Sequence, residues 1–150
     1  MNWSEYLMAN VILLVEDNED HAEMVMQSFG DDTIAKEMHW VKDGKEALDF
    51  LKRQGKYTDA PRPNLILLDL NLPKVNGLEV LKIIKEDAEL KVIPVVMLTT
   101  SDRNDEILEC YRLGVNSFIT KPVKFEEYFD TLKSLERYWL STNREPNHAH

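Results

Sequence analysis

The chain is poor in cysteine and lacks long apolar runs. Its 150 residues include one cysteine, Cys110, which excludes a disulfide framework and favours a buried thiol in a reducing compartment. No apolar run approaches the roughly 20 residues that a membrane-spanning helix needs. The start, MNWSEYLMAN, carries Glu5 and lacks the basic flank and long apolar core of a signal peptide. We therefore expect a cytoplasmic protein without a membrane segment.

Basic residues are outnumbered by acidic residues. The chain has 18 Lys and Arg against 27 Asp and Glu, giving a net charge of -9. The phosphate backbone of nucleic acids is bound by clustered basic residues, so direct DNA binding is not expected. Hydrophobic residues make up 43% and charged residues 30%, as in globular proteins. We predict one domain over residues 1–150, with a core at about 10–139, a short N-terminal extension and a frayed C-terminal tail.

Short apolar runs alternate with segments of helical period along the whole chain. After the first run, Ala22, Val25, Met26 and Phe29 recur at the spacing of an amphipathic helix. The last helix is predicted from just after Pro122 to about Trp139. The predicted strands lie in the segments NVILLVED, MHWVKDG, LILLD, IPVVMLTTS and NSFIT. Strands that are apolar throughout indicate a parallel sheet covered by helices on both faces, so five strand–helix units predict a doubly wound α/β fold.

Polar residues follow four of the five predicted strands at the point where each strand ends. In doubly wound sheets ligands bind outside the carboxyl ends of the strands, at the switch in strand order. We therefore expect these residues to converge on one edge of the sheet. They are Glu16 and Asp17 after the first strand, Asp69 after the third, Thr99 and Thr100 after the fourth, and Lys121 after the fifth.

Three carboxylates at one edge would repel each other unless a cation neutralised them. Oxygen ligands suit a hard ion, and Mg²⁺ commonly takes one or two carboxylates together with phosphate oxygens and water. A backbone carbonyl near Asn71 could complete the set. A carboxylate can also attack phosphorus to form an acyl phosphate. This chemistry predicts Asp69 as the nucleophile, with Lys121 and Thr99 holding the product.

Four motifs carry a resemblance to a known family: LLVEDN, LILLDLNLP with Gly77, IPVVMLTTS and NSFITKPV. Together they make the chain similar to the response-regulator receiver domains of two-component signalling, over roughly residues 10–139. The resemblance implies a flavodoxin-like receiver fold, with a five-stranded parallel sheet of order 2-1-3-4-5 and five helices. It also implies a phosphoacceptor signalling protein rather than a turnover enzyme, with a histidine kinase as phosphoryl donor and Mg²⁺ as cofactor.

The resemblance assigns roles to particular residues. It implies that Asp69 is the phosphoacceptor, that Glu16 and Asp17 form the acidic pair of the magnesium site together with Asp69, and that Asn71 contributes its backbone carbonyl. Lys121 is implied to pair with the phosphoryl group. Position 16 is Glu where many members have Asp, so the longer side chain could reach the metal directly or through a water molecule.

The resemblance further implies a conformational switch. Thr99 would move towards the phosphoryl group, and Phe118 would change rotamer to fill the space left behind. The bond before Pro122 is commonly cis in this family, so a cis bond is expected here.

Three segments resemble those of the stand-alone regulators of bacterial and cyanobacterial phytochromes: LDLNLPK, LTTS and the ERYWL that ends the last predicted helix. That implies a light-sensing histidine kinase as partner and homodimers through the face formed by the fourth helix, last strand and fifth helix. Tyr138 and Trp139 are predicted to contribute to an apolar face that a second subunit covers. Because no effector domain follows residue 140, output is expected to travel by protein contact.

Two other functions use similar architecture. An Asp-nucleophile phosphohydrolase also uses a strand-end Asp, magnesium and a lysine, but it usually needs an acid two residues after the nucleophile, where this chain has Asn71. A flavodoxin-like cofactor carrier needs a Ser-, Thr- or Gly-rich phosphate loop after the first strand, where this chain has the acidic EDNED.

Some of these residues also have purely structural interpretations, since Asp69 could cap a turn and Thr99 could bond its own backbone. The four histidines, His21, His39, His148 and His150, lack metal-ligand spacing, and no role is predicted for them.

Overall fold

Five parallel strands form one sheet in the computed structural model, which describes residues 9–145. The order of the strands across the sheet is β2-β1-β3-β4-β5, and each neighbouring pair is parallel. β1 therefore lies between β2 and β3, and the chain reverses its direction of winding at β1. The strands are β1 (Asn10–Val15), β2 (Lys36–Val41), β3 (Leu65–Leu68), β4 (Val95–Thr99) and β5 (Ser117–Thr120).

An α-helix follows each strand. Side chains that accept a hydrogen bond from the first turn cap the first three helices: Asn18, Asp43 and Asn76. Such caps satisfy backbone N–H groups that have no partner within the helix. The helices are α1 (Glu19–Ser28), α2 (Gly44–Lys52), α3 (Gly77–Glu86), α4 (Asn104–Arg112) and α5 (Phe125–Arg137), and short 3-10 turns lie at Gly55–Tyr57 and Leu90–Val92.

The sheet separates two hydrophobic clusters. Alternate residues of the central strands face opposite sides, so Leu13 and Ile66 belong to one cluster while Leu14 and Leu67 belong to the other. Helices α2, α3 and α4 cover the first cluster, and α1 and α5 cover the second. The three central strands are almost wholly buried, whereas the edge strands β2 and β5 are mostly half-buried.

The doubly wound fold, the strand order and the five helices are as predicted. The end of the last helix differs: α5 ends at Arg137, and a π-helical turn, Tyr138–Thr142, continues it into the segment predicted to fray. The π-turn closes with a bond from the Asn143 N–H to the Tyr138 carbonyl, which a helix-period pattern does not reveal. The expected cis bond before Pro122 is wrong, because residues 9–145 contain no cis peptide bond; trans is the lower-energy form even for an X–Pro bond.

The predicted N-terminal extension and the end of the tail, residues 1–8 and 146–150, lie outside the described residues. Within residues 9–145, none of the helices combines the length and the apolar character required to cross a bilayer.

Gly77 fixes the loop that follows β3. Its backbone N–H donates to the carbonyl of Leu70 at 2.9 Å, which brings the start of α3 against the residues after the strand. A Cβ atom at position 77 would collide with the carbonyl oxygen of Asp69 and would lie 2.7 Å from Leu70 Cα. These are backbone atoms and cannot rotate away, so the close approach requires glycine.

We expect Gly77→Ala to destabilise the fold by about 1–3 kcal/mol, because the added methyl group overpacks a rigid contact. Replacement of an unconstrained helical glycine by alanine would instead stabilise by up to about 1 kcal/mol. Urea denaturation measures the difference. Lys82→Ala, at an exposed position of the same helix, is the control and should change stability by less than about 0.5 kcal/mol. A Gly77→Ala variant as stable as the native protein would contradict this account of the loop.

Candidate metal site at the carboxyl edge of the sheet

The site lies where β1 and β3 end side by side. Asp69 directly follows Leu68, and its backbone N–H donates to the carbonyl of Val15 at 3.0 Å. Glu16, the next residue after Val15, donates its own N–H to Val41 of β2 at 3.1 Å. Backbone pairing therefore brings the two acidic residues together although they are 53 positions apart in the chain.

Three carboxylates meet at this edge. One oxygen from each of Glu16, Asp17 and Asp69 lies within 4.8 Å of the others, close enough to share one metal ion. Glu16 and Asp69 are buried, with 3% and 7% of their surface exposed, while Asp17 is open to solvent. An all-oxygen set with one open side fits a hard divalent cation that keeps some of its water. The residues present therefore suit the predicted kind of metal.

Lys121, which follows β5, joins the two buried carboxylates. Its backbone N–H donates to the carbonyl of Thr99 at 2.7 Å, which fixes the residue just beyond β5. Its ammonium group, 4% exposed, donates to Glu16 Oε1 and, at 3.0 Å, to Asp69 Oδ2. A buried ammonium bonded to two carboxylates offsets part of the cost of burying them.

The charges are still not balanced, and the pKa of Glu16 reflects it. Burial is the largest effect on Glu16 and raises its pKa to about 7, against the lowering effect of its hydrogen bond from Lys121. The negative charge of Asp69 acts in the same direction as burial. A divalent cation placed among these oxygens would remove this repulsion, which is a physical reason for a metal to bind here.

The other predicted residues lie near this edge, each in a different setting. Asn71 donates its backbone N–H to Asp69 Oδ1 at 3.1 Å, and the role predicted for its carbonyl stays a prediction. Thr99 is fully buried at the end of β4, and its hydroxyl accepts the Ser101 N–H at 3.3 Å. Phe118 is half-buried in β5, opposite Met97 of β4, and packs on the cluster covered by α2, α3 and α4.

Two residues of the site were missed from the sequence. Trp40, in β2, donates its indole N–H to the backbone carbonyl of Glu16 at 2.7 Å. His21, in the first turn of α1, places its ring Nδ1 3.0 Å from the Lys121 ammonium nitrogen. Burial, followed by the positive charge of Lys121, lowers the pKa of His21. The available signal for His21 was its place one helical turn after the acidic pair.

Comparison with known proteins identifies the family. Residues 12–133 match the model of the response regulator receiver domain. The chain is 46% identical over 132 residues to response regulator Rcp1 of Synechocystis sp., covering 88% of this chain and 90% of Rcp1. It is 44% identical over 140 residues to the probable methanogenesis regulatory protein FilR2 of Methanothrix harundinacea, covering 93% of this chain and 89% of FilR2.

Solved structures agree with this result. The phosphorylated cyanobacterial phytochrome response regulator RcpA has a TM-score of 0.90 and 45% identity, over 93% of this chain and 99% of RcpA. The Mn²⁺-bound form of Rcp1 has a TM-score of 0.89 and 45% identity, over 92% of this chain and 99% of that one. The resemblance to receiver domains, and to phytochrome response regulators among them, is confirmed.

We expect Asp17→Asn to weaken Mg²⁺ binding at least about tenfold, because changes even to groups behind the metal ligands cost that much. Isothermal titration calorimetry measures the affinity. Asp20→Asn is the matched control, since it removes the same charge from an exposed position of the same segment but lies outside the cluster of three carboxylates. Equal losses in the two variants would show that general charge, and not ligation by Asp17, controls binding.

Proposed function

The chain belongs to the response regulator receiver family, and on that basis we propose that Asp69 accepts a phosphoryl group from a phosphohistidine of a histidine kinase. One observation carries the proposal. A strand-end carboxylate bonded to a buried lysine lies within reach of two further carboxylates, at the switch in strand order. This combination supplies a nucleophile, a cation for the transferred oxygens and oxygen ligands for a metal.

The transfer moves one phosphoryl group and releases the donor imidazole. A carboxylate oxygen of Asp69 attacks phosphorus, an O–P bond forms, and the P–N bond to the histidine breaks with its electron pair remaining on nitrogen. That nitrogen then takes up a proton. Lys121 supports the reaction by donating to the site of attack, where negative charge is spread over the transferred oxygens.

Mg²⁺ is the proposed cofactor, held by Glu16, Asp17 and Asp69 with the backbone carbonyl of Asn71. When bound it would neutralise charge on the phosphoryl oxygens and hold them in line for transfer. Glu16 Oε1 and Asp69 Oδ2 are already bonded to Lys121. Among the contacts within residues 9–145, their second oxygens accept only backbone N–H groups, from Asn18 at 3.3 Å and Asn71 at 3.1 Å.

The proposed response is a switch from Thr99 to Phe118. Thr99 would leave Ser101 and donate its hydroxyl to a phosphoryl oxygen, and Phe118 would fill the vacated space. Two contacts support this path. Thr99 lies opposite Thr120 in the pairing of β4 with β5, and the Thr120 hydroxyl donates to the carbonyl of Ser101 at 3.2 Å. A movement of the loop after β4 would therefore act directly on β5.

The names of the relatives favour particular partners. RcpA is a phytochrome response regulator, so a phytochrome-type histidine kinase is the proposed donor, and phosphoacceptance with slow self-hydrolysis is the proposed activity. We propose a cytoplasmic protein that acts through protein contacts without binding DNA. Its homodimer would form through α4, β5 and α5, where Leu108 and Tyr111 of α4, and Tyr138 directly after α5, are about half exposed.

The alternative, an Asp-nucleophile phosphohydrolase, has no support from the comparisons, which match residues 12–133 to a receiver domain. The backbone N–H of Asn71 donates to Asp69, but its amide side chain has no acidic proton to give. A turnover assay against small phosphate esters separates the two functions. Stoichiometric transfer supports the receiver, and repeated turnover supports the hydrolase.

We expect Asp69→Asn to abolish phosphorylation by kinase or acetyl phosphate, because an amide cannot form the acyl phosphate. The fold should persist, since Asn fills the same volume. Phosphate incorporation per chain and circular dichroism are the two measurements. Asp43→Asn, another buried aspartate that caps α2, is the control and should still be phosphorylated. Label on the Asp69→Asn protein at the native level would refute this phosphoacceptor.

We expect Tyr111→Glu to dissociate the proposed homodimer, because it places a charge in an apolar interface. Sedimentation velocity of phosphorylated and unmodified protein measures the assembly state. Val92→Glu is matched in chemistry, since Val92 is also 50% exposed but lies outside α4, β5 and α5. A dimer that survives Tyr111→Glu, or a native protein that is monomeric in both states, would count against this interface.

A further inference from the structure

The ammonium group of Lys121 has three N–H bonds, and the structure provides an acceptor for each. Two acceptors are the carboxylates of Glu16 and Asp69. The third is Nδ1 of His21, 3.0 Å from the lysine nitrogen. An ammonium group can only donate, so the ring nitrogen must be the acceptor and the ring proton must lie on Nε2.

The backbone holds His21 in this position. Its N–H donates to the side-chain oxygen of Asn18, the cap of α1, at 3.0 Å. The His21 side chain is 34% exposed, whereas that of Lys121 is 4% exposed. The imidazole therefore lies on the more exposed side of the ammonium group, with its Nδ1 3.7 Å from Glu16 Oε1.

The three acceptors of the Lys121 ammonium would change differently during the proposed reaction. Glu16 and Asp69 are the groups that would bind the cation, and Asp69 would also form the bond to phosphorus. Both changes withdraw negative charge from the oxygens that hold Lys121. The imidazole of His21 is proposed neither as a metal ligand nor as the phosphoacceptor. Its Nδ1 lone pair therefore stays available to Lys121 throughout the reaction.

We propose that His21 is a positioning residue for phosphoryl transfer, whose Nδ1 holds the Lys121 ammonium beside Asp69 while the carboxylates are engaged by cation and phosphoryl group. The inference rests on the proposed function, because it assumes that Asp69 is the acceptor. His21 takes no part in the covalent step, and its effect passes through Lys121. A side chain at position 21 that has no hydrogen-bond acceptor should leave the Lys121 ammonium less well placed beside Asp69.

Two variants separate hydrogen bonding from space filling. His21→Asn places an amide oxygen near the position of Nδ1, while His21→Leu provides similar bulk with no acceptor. With acetyl phosphate and saturating Mg²⁺, His21→Leu should lower the maximal phosphorylation rate about tenfold, the low end for a hydrogen bond to a charged group. His21→Asn should restore most of that loss. In a Lys121→Ala background, His21→Leu should have no further effect.

A second readout needs neither metal nor phosphoryl donor. Nitrogen-15 NMR of the metal-free protein, with the ring neutral, should show the His21 proton on Nε2 and an accepting Nδ1. The Nδ1 signal should shift in Lys121→Ala, which removes the donor. A proton on Nδ1 in the native protein would overturn the inference whatever the kinetics show.

The kinetic outcomes are equally decisive. Equal rates for His21→Leu and native protein, or a His21→Asn variant as slow as His21→Leu, would overturn the role of the lone pair. So would a His21→Leu effect that persists without Lys121. If the native protein takes no phosphoryl group at all, the proposed function fails and the inference with it, whereas a phosphorylated native protein with an unaffected His21→Leu variant defeats the inference alone.

Discussion

The arrangement of the site depends on the bonds between the Lys121 ammonium group and the carboxylates of Glu16 and Asp69. Two carboxylates buried side by side repel each other, and burial is the largest of the effects that together raise the pKa of Glu16 to about 7. One ammonium group offsets part of that cost, and the remainder makes the edge a place where a divalent cation is stabilising. The residual negative charge of these carboxylates is what a bound divalent cation would offset.

The sheet delivers these groups through its backbone. Asp69 donates to Val15, Lys121 donates to Thr99, and Gly77 donates to Leu70, so the main chain fixes each functional position before any side chain acts. The buried central strands provide the rigidity, whereas β5, which carries Phe118, is a half-buried edge strand. In the proposed switch, a rigid centre beside a less constrained edge would let a local change at Asp69 reach the surface.

Sequence patterns predicted the fold well, because buried parallel strands and amphipathic helices have distinct periods. They also predicted that Glu16, Asp17, Asp69 and Lys121 would meet at one edge, because the carboxyl ends of parallel strands share it, and the structure brings these side chains together. The π-turn after Arg137 was missed because its hydrogen-bond spacing leaves no periodic trace. The expected cis bond before Pro122 came from the family resemblance, and it was wrong.

The sequence by itself determined which strands are buried, which acids and which lysine end them, and to which family the chain belongs. Only the tertiary structure decided that Trp40 holds the carbonyl of Glu16 and that His21 accepts the third N–H of Lys121. Periodicity records whether a side chain faces the core, and a strand end records where polar groups collect. Neither records which nitrogen lies within 3 Å of which oxygen or ring, because that distance is set by packing between elements far apart in the chain.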